Sequence, residues 1–237
     1  MLKENSKQTN NRYFFTGFFM VLFILFQGCD TTKTEYWVID NLEKIGGYNV
    51  SVVGNPEIVE TELGKAVKFD GDGDLLLVDS NPLGNTKEFT VEVIFKPAAC
   101  YPENTAPRFI HFQDPNDLRE KRLMIELRIN EQNQCYLDGY LKTDTSSLVL
   151  IDETLVHPTN EWLHAAVTYQ NNCLTTYING QKQLSGEVGY KAAFINPEGK
   201  VAIGGRMNKV SWYNGLVKTV KVTDKALDPE GFMAIND

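Results

Sequence analysis

Apolar residues recur with a period of two along much of this chain, and no other feature constrains its fold as strongly. The clearest stretches are residues 89–95, 123–129, 163–169 and 216–222. Period two puts every second side chain on the same face of a β-strand, whereas a helical face repeats about every 3.6 residues. Turn signals lie between the stretches, at Asp72-Gly73, Asn179-Gly180 and Gly204-Gly205. The sequence therefore predicts an all-β protein built as an antiparallel sandwich.

The part of the chain after residue 34 predicts one domain. The 237 residues are 42% hydrophobic and 23% charged, which is an ordinary globular composition. No linker rich in proline or serine and no block of charge interrupts residues 35–237, so we expect one core between two sheets. Only residues 224–235 favour a short helical turn, with Pro229 at a position that a first turn tolerates.

The N-terminus reads as an export signal. Residues 1–12 are polar and basic, and residues 13–26 form an apolar run that is shorter than the roughly 20 residues of a membrane-spanning helix. We therefore predict a signal peptide over residues 1–28. Gly28-Cys29 resembles the lipobox of bacterial lipoproteins, which implies cleavage before Cys29, lipidation of its thiol and a tether over residues 29–34. The expected location is the cell envelope, at a membrane surface through the lipid. The alternative is a soluble exported protein.

Charge and cysteine spacing exclude two classes of function. The net charge is −8, and the first 29 residues are basic, so the exported part is more acidic than the total. An acidic body repels phosphate backbones, which argues against nucleic acid as a partner. Cys29, Cys100, Cys135 and Cys173 lack the spacing of zinc ligands. Cys100 and Cys135 lie at the ends of apparently neighbouring strands, which makes them candidates for a disulfide in an oxidising compartment.

A series of motifs, in order, resembles laminin G-like domains. The series comprises residues 64–74, 89–92, 161–169, 177–180, 203–205 and 213–216. That family belongs to the concanavalin A-like lectin and glucanase superfamily, and the resemblance covers residues 66–232. It implies a jelly roll of two curved antiparallel sheets, with a concave face available to ligands. Sugar binders, adhesion modules, hydrolases and lyases share this fold, so the function must come from the site.

Calcium is not favoured, and no other metal or cofactor is predicted. Asp70, Asp72 and Asp74 alternate in a glycine-rich turn, but an EF-hand would need a glutamate where Asn81 stands, and helices on both sides. The resembling family carries an acidic pair near its last strand, and Lys218 occupies the matching place. The sequence has no phosphate-binding loop and no nucleophile elbow.

Alternation predicts a polar cluster on one sheet face. In two successive predicted strands, the side chains opposite the core are Glu126, Arg128, Asp138 and Tyr140. The preceding strand, residues 108–113, contributes either Arg108 or His111, since apolar residues on both of its faces leave its register open. The cluster forms if these strands are neighbours. It is otherwise an outward face whose ion pairs contribute only a little stability.

The same cluster suggests an enzyme as one alternative. His111, Glu126, Arg128 and Tyr140 resemble the residues of jelly-roll polysaccharide lyases, in which an arginine neutralises a uronate carboxylate while histidine or tyrosine moves protons. Glu126-Leu-Arg128 is similar to the core of an alginate-lyase motif. A retaining glycosidase is disfavoured, because Arg128 stands where its motif carries an aspartate and would keep both Glu126 and Glu131 ionised.

The leading prediction is a lipid-anchored protein that binds carbohydrate without catalysis. Arg206, Trp212 and Tyr213 follow the Gly204-Gly205 turn, where an aromatic ring and an arginine suit a sugar. The predicted ligand-binding residues are Arg108, Asp138, Arg206, Trp212 and Tyr213. The alternatives are a polysaccharide lyase or glycoside hydrolase on the same face, and an adhesion module that binds other surface proteins.

Overall fold

Seventeen strands make up almost all the regular structure of the computed structural model, which describes residues 32–116, 121–144, 146–189 and 199–236. The strands are β1 (Thr34–Val38), β2 (Lys44–Ile45), β3 (Tyr48–Val53), β4 (Glu57–Thr61), β5 (Gly64–Asp70), β6 (Leu75–Val78), β7 (Phe89–Pro97), β8 (Arg108–Gln113), β9 (Arg122–Ile129), β10 (Gln134–Lys142), β11 (Ser147–Ile151), β12 (His157–Pro158), β13 (Leu163–Gln170), β14 (Cys173–Ile178), β15 (Gln181–Glu187), β16 (Lys200–Ile203) and β17 (Asn214–Thr223).

The strands form two antiparallel sheets packed face to face as a jelly roll. The eight-stranded sheet runs β15-β14-β13-β7-β17-β5-β4, and β1 pairs with the far half of β17. The nine-stranded sheet runs β11-β10-β9-β8-β16-β6-β3-β2, and β12 pairs with β10. All four stretches with period-two alternation are strands, so the predicted fold class is confirmed. Between residues 224 and 235, the helical turn is limited to a 3-10 turn at Pro229–Gly231.

Aromatic side chains join the two sheets in the core. The ring of Phe95 in β7 stacks on that of Phe109 in β8, with centroids 4.5 Å apart. Tyr213 lies 5.4 Å from Phe109 and 6.2 Å from Phe69 of β5, so one chain of rings crosses from sheet to sheet. All four side chains are fully buried. Each stabilises the fold by about 1.5–3 kcal/mol through burial, and offset aromatic pairs add to that.

A buried carboxylate holds the C-terminal segment on the outer face of the eight-stranded sheet. Glu92 of β7 is fully buried and accepts hydrogen bonds from His164 Nε2 at 3.1 Å and from the backbone N–H of Met233 at 2.6 Å. Lys221 Nζ lies 2.8 Å from its other oxygen. Burial alone would raise the pKa of Glu92, but these three donors together lower it below the ordinary value. His164 is buried and bonded to Glu92, so its role is structural.

The predicted disulfide is not formed. Cys100, Cys135 and Cys173 are free thiols. Cys100 follows β7 of one sheet and Cys135 lies in β10 of the other, so the two are not on neighbouring strands. Each thiol instead faces a backbone carbonyl, that of Asn104 at 3.1 Å for Cys100 and that of Pro158 at 3.7 Å for Cys135. Burial raises the pKa of Cys135 to about 12, which keeps this thiol protonated.

The export signal and Cys29 lie outside the described residues. The fold itself begins slightly before the expected boundary at residue 35, because the backbone N–H of Lys33 donates to Asp224 at 2.7 Å and β1 starts at Thr34. Within residues 32–116, 121–144, 146–189 and 199–236, no helix has the length and apolar character needed to cross a membrane.

Candidate functional site

Strands β8, β9 and β10 form a meander that brings the predicted polar cluster together on the outer face of the nine-stranded sheet. Glu126 lies between Arg108 on one side and Asp138 on the other. Two residues earlier in β9, Met124 lies between His111 of β8 and Tyr140 of β10. The side chains that alternation placed opposite the core therefore share one continuous face.

A β-bulge lets β8 contribute both of its candidate residues. The register against β9 shifts between Arg108 and Ile110, so Phe109 is an extra residue in this strand. Phe109 and Ile110 both point into the core and are fully buried, while Arg108 and His111 both point outward. The sequence predicted only one of Arg108 and His111 on this face, because in a regular strand residues three apart point to opposite faces. The bulge removes the need to choose.

Two of the arginines on this face are paired with buried carboxylates. Arg108 Nε donates to Glu126 at 2.9 Å. Arg128 donates to one oxygen of Asp138 from Nε at 3.0 Å and from Nη2 at 2.5 Å. Glu126 and Asp138 are only 2% and 1% exposed, so these are charge pairs in a low-dielectric setting. Burial nevertheless raises the pKa of Glu126, although Arg108 opposes that shift.

His111 is a hydrogen-bond donor on this face and not a base. Its Nδ1 accepts the backbone N–H of Met207 at 2.9 Å, and the side chain is 1% exposed. Burial and the nearby charges of Arg206, Arg122 and Arg108 lower the pKa of His111 to about 3, so the ring is neutral at pH 7. With Nδ1 accepting, Nε2 must carry the proton. The ring thus has no free lone pair with which to abstract a proton from a substrate.

The other predicted catalytic groups are also engaged. Arg122 lies against Tyr140, with its guanidinium carbon 4.9 Å from the ring centroid and its Nη2 3.3 Å from the hydroxyl. Arg128 directs two nitrogens at Asp138 and so has little left to offer a uronate carboxylate. Asp138, predicted to bind ligand, is buried beneath Arg128. The predicted cluster is therefore assembled, and its charged groups largely bind one another.

The loop after β16 crosses this face and supplies Arg206 and Trp212. Arg206 and Val210 close a tight turn through a 3.1 Å backbone hydrogen bond, and Ser211 accepts the N–H of Arg108, which fixes the loop to β8. Gly204 starts the loop with φ +96°, a conformation that favours glycine. Trp212 is half-buried, and its ring packs over Gly205.

Trp212 rests on a second apolar cluster, which sequence reasoning missed. Leu75, Ala202 and Met207 are its buried members, and Val53 and Leu77 pack against them on the outer face of the nine-stranded sheet. The available signal was β6, in which Leu75-Leu76-Leu77-Val78 is apolar without alternation. A strand of that composition is covered on both faces.

Tyr213 is wrong as a predicted ligand-binding residue. It is fully buried in the aromatic chain of the core, and its hydroxyl donates to the carbonyl of Leu216 at 3.3 Å. Burial raises the pKa of this phenol well above the ordinary value. The two residues precede β17 in the loop, which turns Tyr213 into the core while the ring of Trp212 packs over Gly205.

Two of the three aspartates in the glycine-rich turn, Asp70 and Asp74, bind backbone N–H groups. Asp74 accepts the N–H groups of Asn55 at 2.7 Å and of Asp70 at 3.1 Å, one with each oxygen. Asp70 in turn accepts the N–H of Asp72 at 2.7 Å. This is the hydrogen bonding of an Asx turn. In the part of the chain that the structure describes, no three or more His, Cys, Asp or Glu side chains are grouped as metal ligands.

Several solved structures share this fold. Domain 4 of AbnA, a GH43 extracellular arabinanase from Geobacillus stearothermophilus in complex with arabinotriose, has a TM-score of 0.63 and 17% identity, over 84% of this chain and 96% of that one. The binding domain of Paraclostridial Mosquitocidal Protein 1 has a TM-score of 0.62 and 14% identity, over 83% and 50%. The binding domain of botulinum neurotoxin DC in complex with SialylT has a TM-score of 0.60 and 18% identity, over 83% and 49%.

These likenesses establish the fold alone, and this chain spans only about half the length of the toxin binding domains. No match was found among curated proteins. At the level of sequence, a laminin G-type family model, described as the concanavalin A-like lectin/glucanases superfamily, matches residues 69–231. That range covers most of the chain and agrees with the two packed sheets. The chain therefore belongs to the concanavalin A-like lectin/glucanase superfamily.

Proposed function

We propose that this chain is a lipid-anchored protein of the cell envelope that binds carbohydrate without catalysis. The ligand lies on the outer face of the nine-stranded sheet, against Trp212 and Arg206. The observation that carries the proposal is the half-exposed indole of Trp212, which rests on an apolar cluster and has an arginine in the same loop. A rigid aromatic face beside polar donors is a common way to hold a sugar ring.

The absence of catalysis in this proposal follows from the state of the polar cluster. A lyase needs a base with a free lone pair and an arginine free to neutralise the carboxylate. His111 Nδ1 already accepts a backbone N–H, and Arg128 is bound to Asp138. Structural neighbours determined with arabinotriose and with SialylT support sugar as the ligand class, since the fold is the same.

Replacing Trp212 with alanine is expected to weaken glycan binding roughly tenfold or more, because truncating an aromatic anchor typically costs over 1 kcal/mol of binding free energy. The measurement is a glycan array with the full-length chain, followed by calorimetry with the glycans it binds. Trp162→Ala is the matched control. That indole is also half-buried, but it directly precedes β13 of the other sheet and donates to Glu62. Equal losses in the two variants, or no bound glycan, would contradict the proposal.

For the lipid anchor, we expect mass spectrometry of the mature protein to find Cys29 as the first residue, carrying acyl chains. Cys29→Ser should move the protein from the membrane fraction to the soluble fraction, since acyl chains supply the membrane affinity. Cys173→Ser, at a half-buried thiol, should stay with the membrane. An unmodified Cys29 would end this part of the proposal.

A further inference from the structure

Hydrogen-bond donors are concentrated around His111 on the proposed binding face. Burial and the charges of Arg108 and Arg122 lower the pKa of Arg206, so these three guanidinium groups lie near enough to repel one another. Besides burial, the charges of the same three arginines also lower the pKa of His111. Glu126 also lies near Arg206, but this carboxylate already binds Arg108 at 2.9 Å and lies 3.7 Å from Arg128.

Arg206 has a guanidinium group whose charge is not matched. Among the described residues its side chain makes no hydrogen bond or ion pair, and its Nε is buried. A buried cationic donor without a partner is costly, whereas the same group bonded to an anion is among the stronger polar contacts in proteins. On the same face Arg108 and Arg128 differ from Arg206, since each is paired with a carboxylate.

His111 is a second, independent donor of this kind. The side chain is 1% exposed, and its Nε2–H has no hydrogen-bond partner within the described part of the chain. Buried polar groups in folded proteins nearly always have a partner, so an unmatched donor indicates that something outside the chain completes it. A neutral imidazole donor beside three guanidinium groups has the chemistry of an oxyanion site.

We propose that the glycan bound on this face carries an oxyanion, either a carboxylate or a sulfate, and that Arg206 binds this group with His111 Nε2–H beneath it. This inference rests on the proposed function and names its ligand class. The oxyanion belongs to a sugar because Arg206 directly precedes Met207, a buried member of the apolar cluster under Trp212. One ligand therefore meets a charge and an apolar platform together. The positive charges of Arg108, Arg122 and Arg206 set this face apart from the acidic body, which would otherwise repel such ligands.

The test compares matched charged and neutral glycans by calorimetry with the full-length chain. One pair is oligogalacturonate and its methyl ester, and the other is a sulfated galactan oligosaccharide and its desulfated form. Each charged member is compared with its neutral member, so the two arms separate carboxylate from sulfate. Arg206→Gln should lower affinity for the preferred charged glycan about tenfold or more, as expected for a charged hydrogen bond, and lower affinity for its neutral partner by a smaller factor.

Two further variants sharpen the result. Arg206→Lys keeps the charge but loses the fork of donors, so it should fall between wild type and Arg206→Gln. Lys209→Gln removes one positive charge from an exposed position in the same loop and should change affinity by less than about twofold. Arg206→Gln should not lower the melting temperature, because it relieves repulsion among the guanidinium groups.

The outcomes separate this inference from the proposed function. If charged and neutral members of both pairs bind equally and Trp212→Ala still weakens binding, the oxyanion proposal is overturned while carbohydrate binding stands. If a charged glycan is preferred but Arg206→Gln and Lys209→Gln behave alike, the assigned role of Arg206 is wrong. If neither these four glycans nor those of the array bind, both proposals fall.

Discussion

Replacing Glu92 with glutamine is expected to lower the free energy of unfolding by about 3–5 kcal/mol, the usual result of removing one partner from a buried charge pair. His164 and the N–H of Met233 both bind Oε2, and the amide oxygen of glutamine can still accept there. The amide nitrogen, however, replaces the oxygen that faces Lys221, so this cation loses its anion and meets a donor. Urea denaturation measures the change. Hydrogen exchange at Met233 should rise as well, because a neutral amide oxygen is a weaker acceptor than the carboxylate.

The stabilisation by Glu92 should also depend on pH, and its pKa gives the direction. The folded-state pKa of Glu92 is lower than its ordinary value of 4.5. Its contribution to stability is therefore fully present above about pH 4.5 and is lost as the pH falls through the folded-state pKa. The difference in unfolding free energy between wild type and Glu92→Gln should shrink over that window. Groups that titrate in both proteins cancel in this difference.

Glu60→Gln provides the control, because it removes an exposed carboxylate from β4 of the same sheet. Surface substitutions of this kind change stability by about 0.5 kcal/mol or less. If the two variants were equally stable and shared one acid profile, the buried network would have no energetic role.

Gly204→Ala is expected to cost about 2–5 kcal/mol, combining roughly 1–2 for a side chain in the left-handed region with about 1–3 for overpacking. Gly204 has φ +96°, and a Cβ there would overlap the fully buried ring of Phe69. The same residue begins the loop that carries Arg206 and Trp212. Glycan affinity should therefore fall together with the melting temperature.

Gly180→Ala separates the two contributions. Gly180 has a similar φ of +75° in the β14–β15 turn, but a Cβ there would meet no atom within 4 Å. Only the backbone cost of about 1–2 kcal/mol is expected, with no change in glycan affinity. A loss at Gly204 no larger than that at Gly180 would show that the contact with Phe69 is easily relieved.

Alternation was sufficient for the central strands and insufficient for the periphery. In β9, Leu123, Ile125, Leu127 and Ile129 lie in the core as alternation predicted, although Met124 and Glu126 on the opposite face are buried as well. Asn179 and Gly180 both have positive φ, which the Asn-Gly pair predicted for a hairpin. The N-terminal strands β1 to β4 carry mixed patterns and pair at or near sheet edges, so tertiary contacts decide them.

The residues of the site could be predicted from the sequence, but the contacts among them could not. Glu126, Arg128, Asp138 and Tyr140 were placed on one face because strands obey period two. Their pairing was not predictable, since whether Arg128 faces Asp138 or a ligand depends on angstrom-scale geometry. The supposed strand adjacency of Cys100 and Cys135 failed for a related reason, because sequence order does not reveal which sheet a strand joins.

The extra residue in β8 changes how a comparable face would be recognised in other sequences. In a regular strand, residues three apart point to opposite sides, so a strict alternation pattern would discard Arg108 and His111 as a pair. With the bulge, the meaningful signature is Arg-x-x-His with two core residues between, followed one strand later by Glu-x-Arg. A search for chains able to build the same donor cluster should therefore allow this spacing.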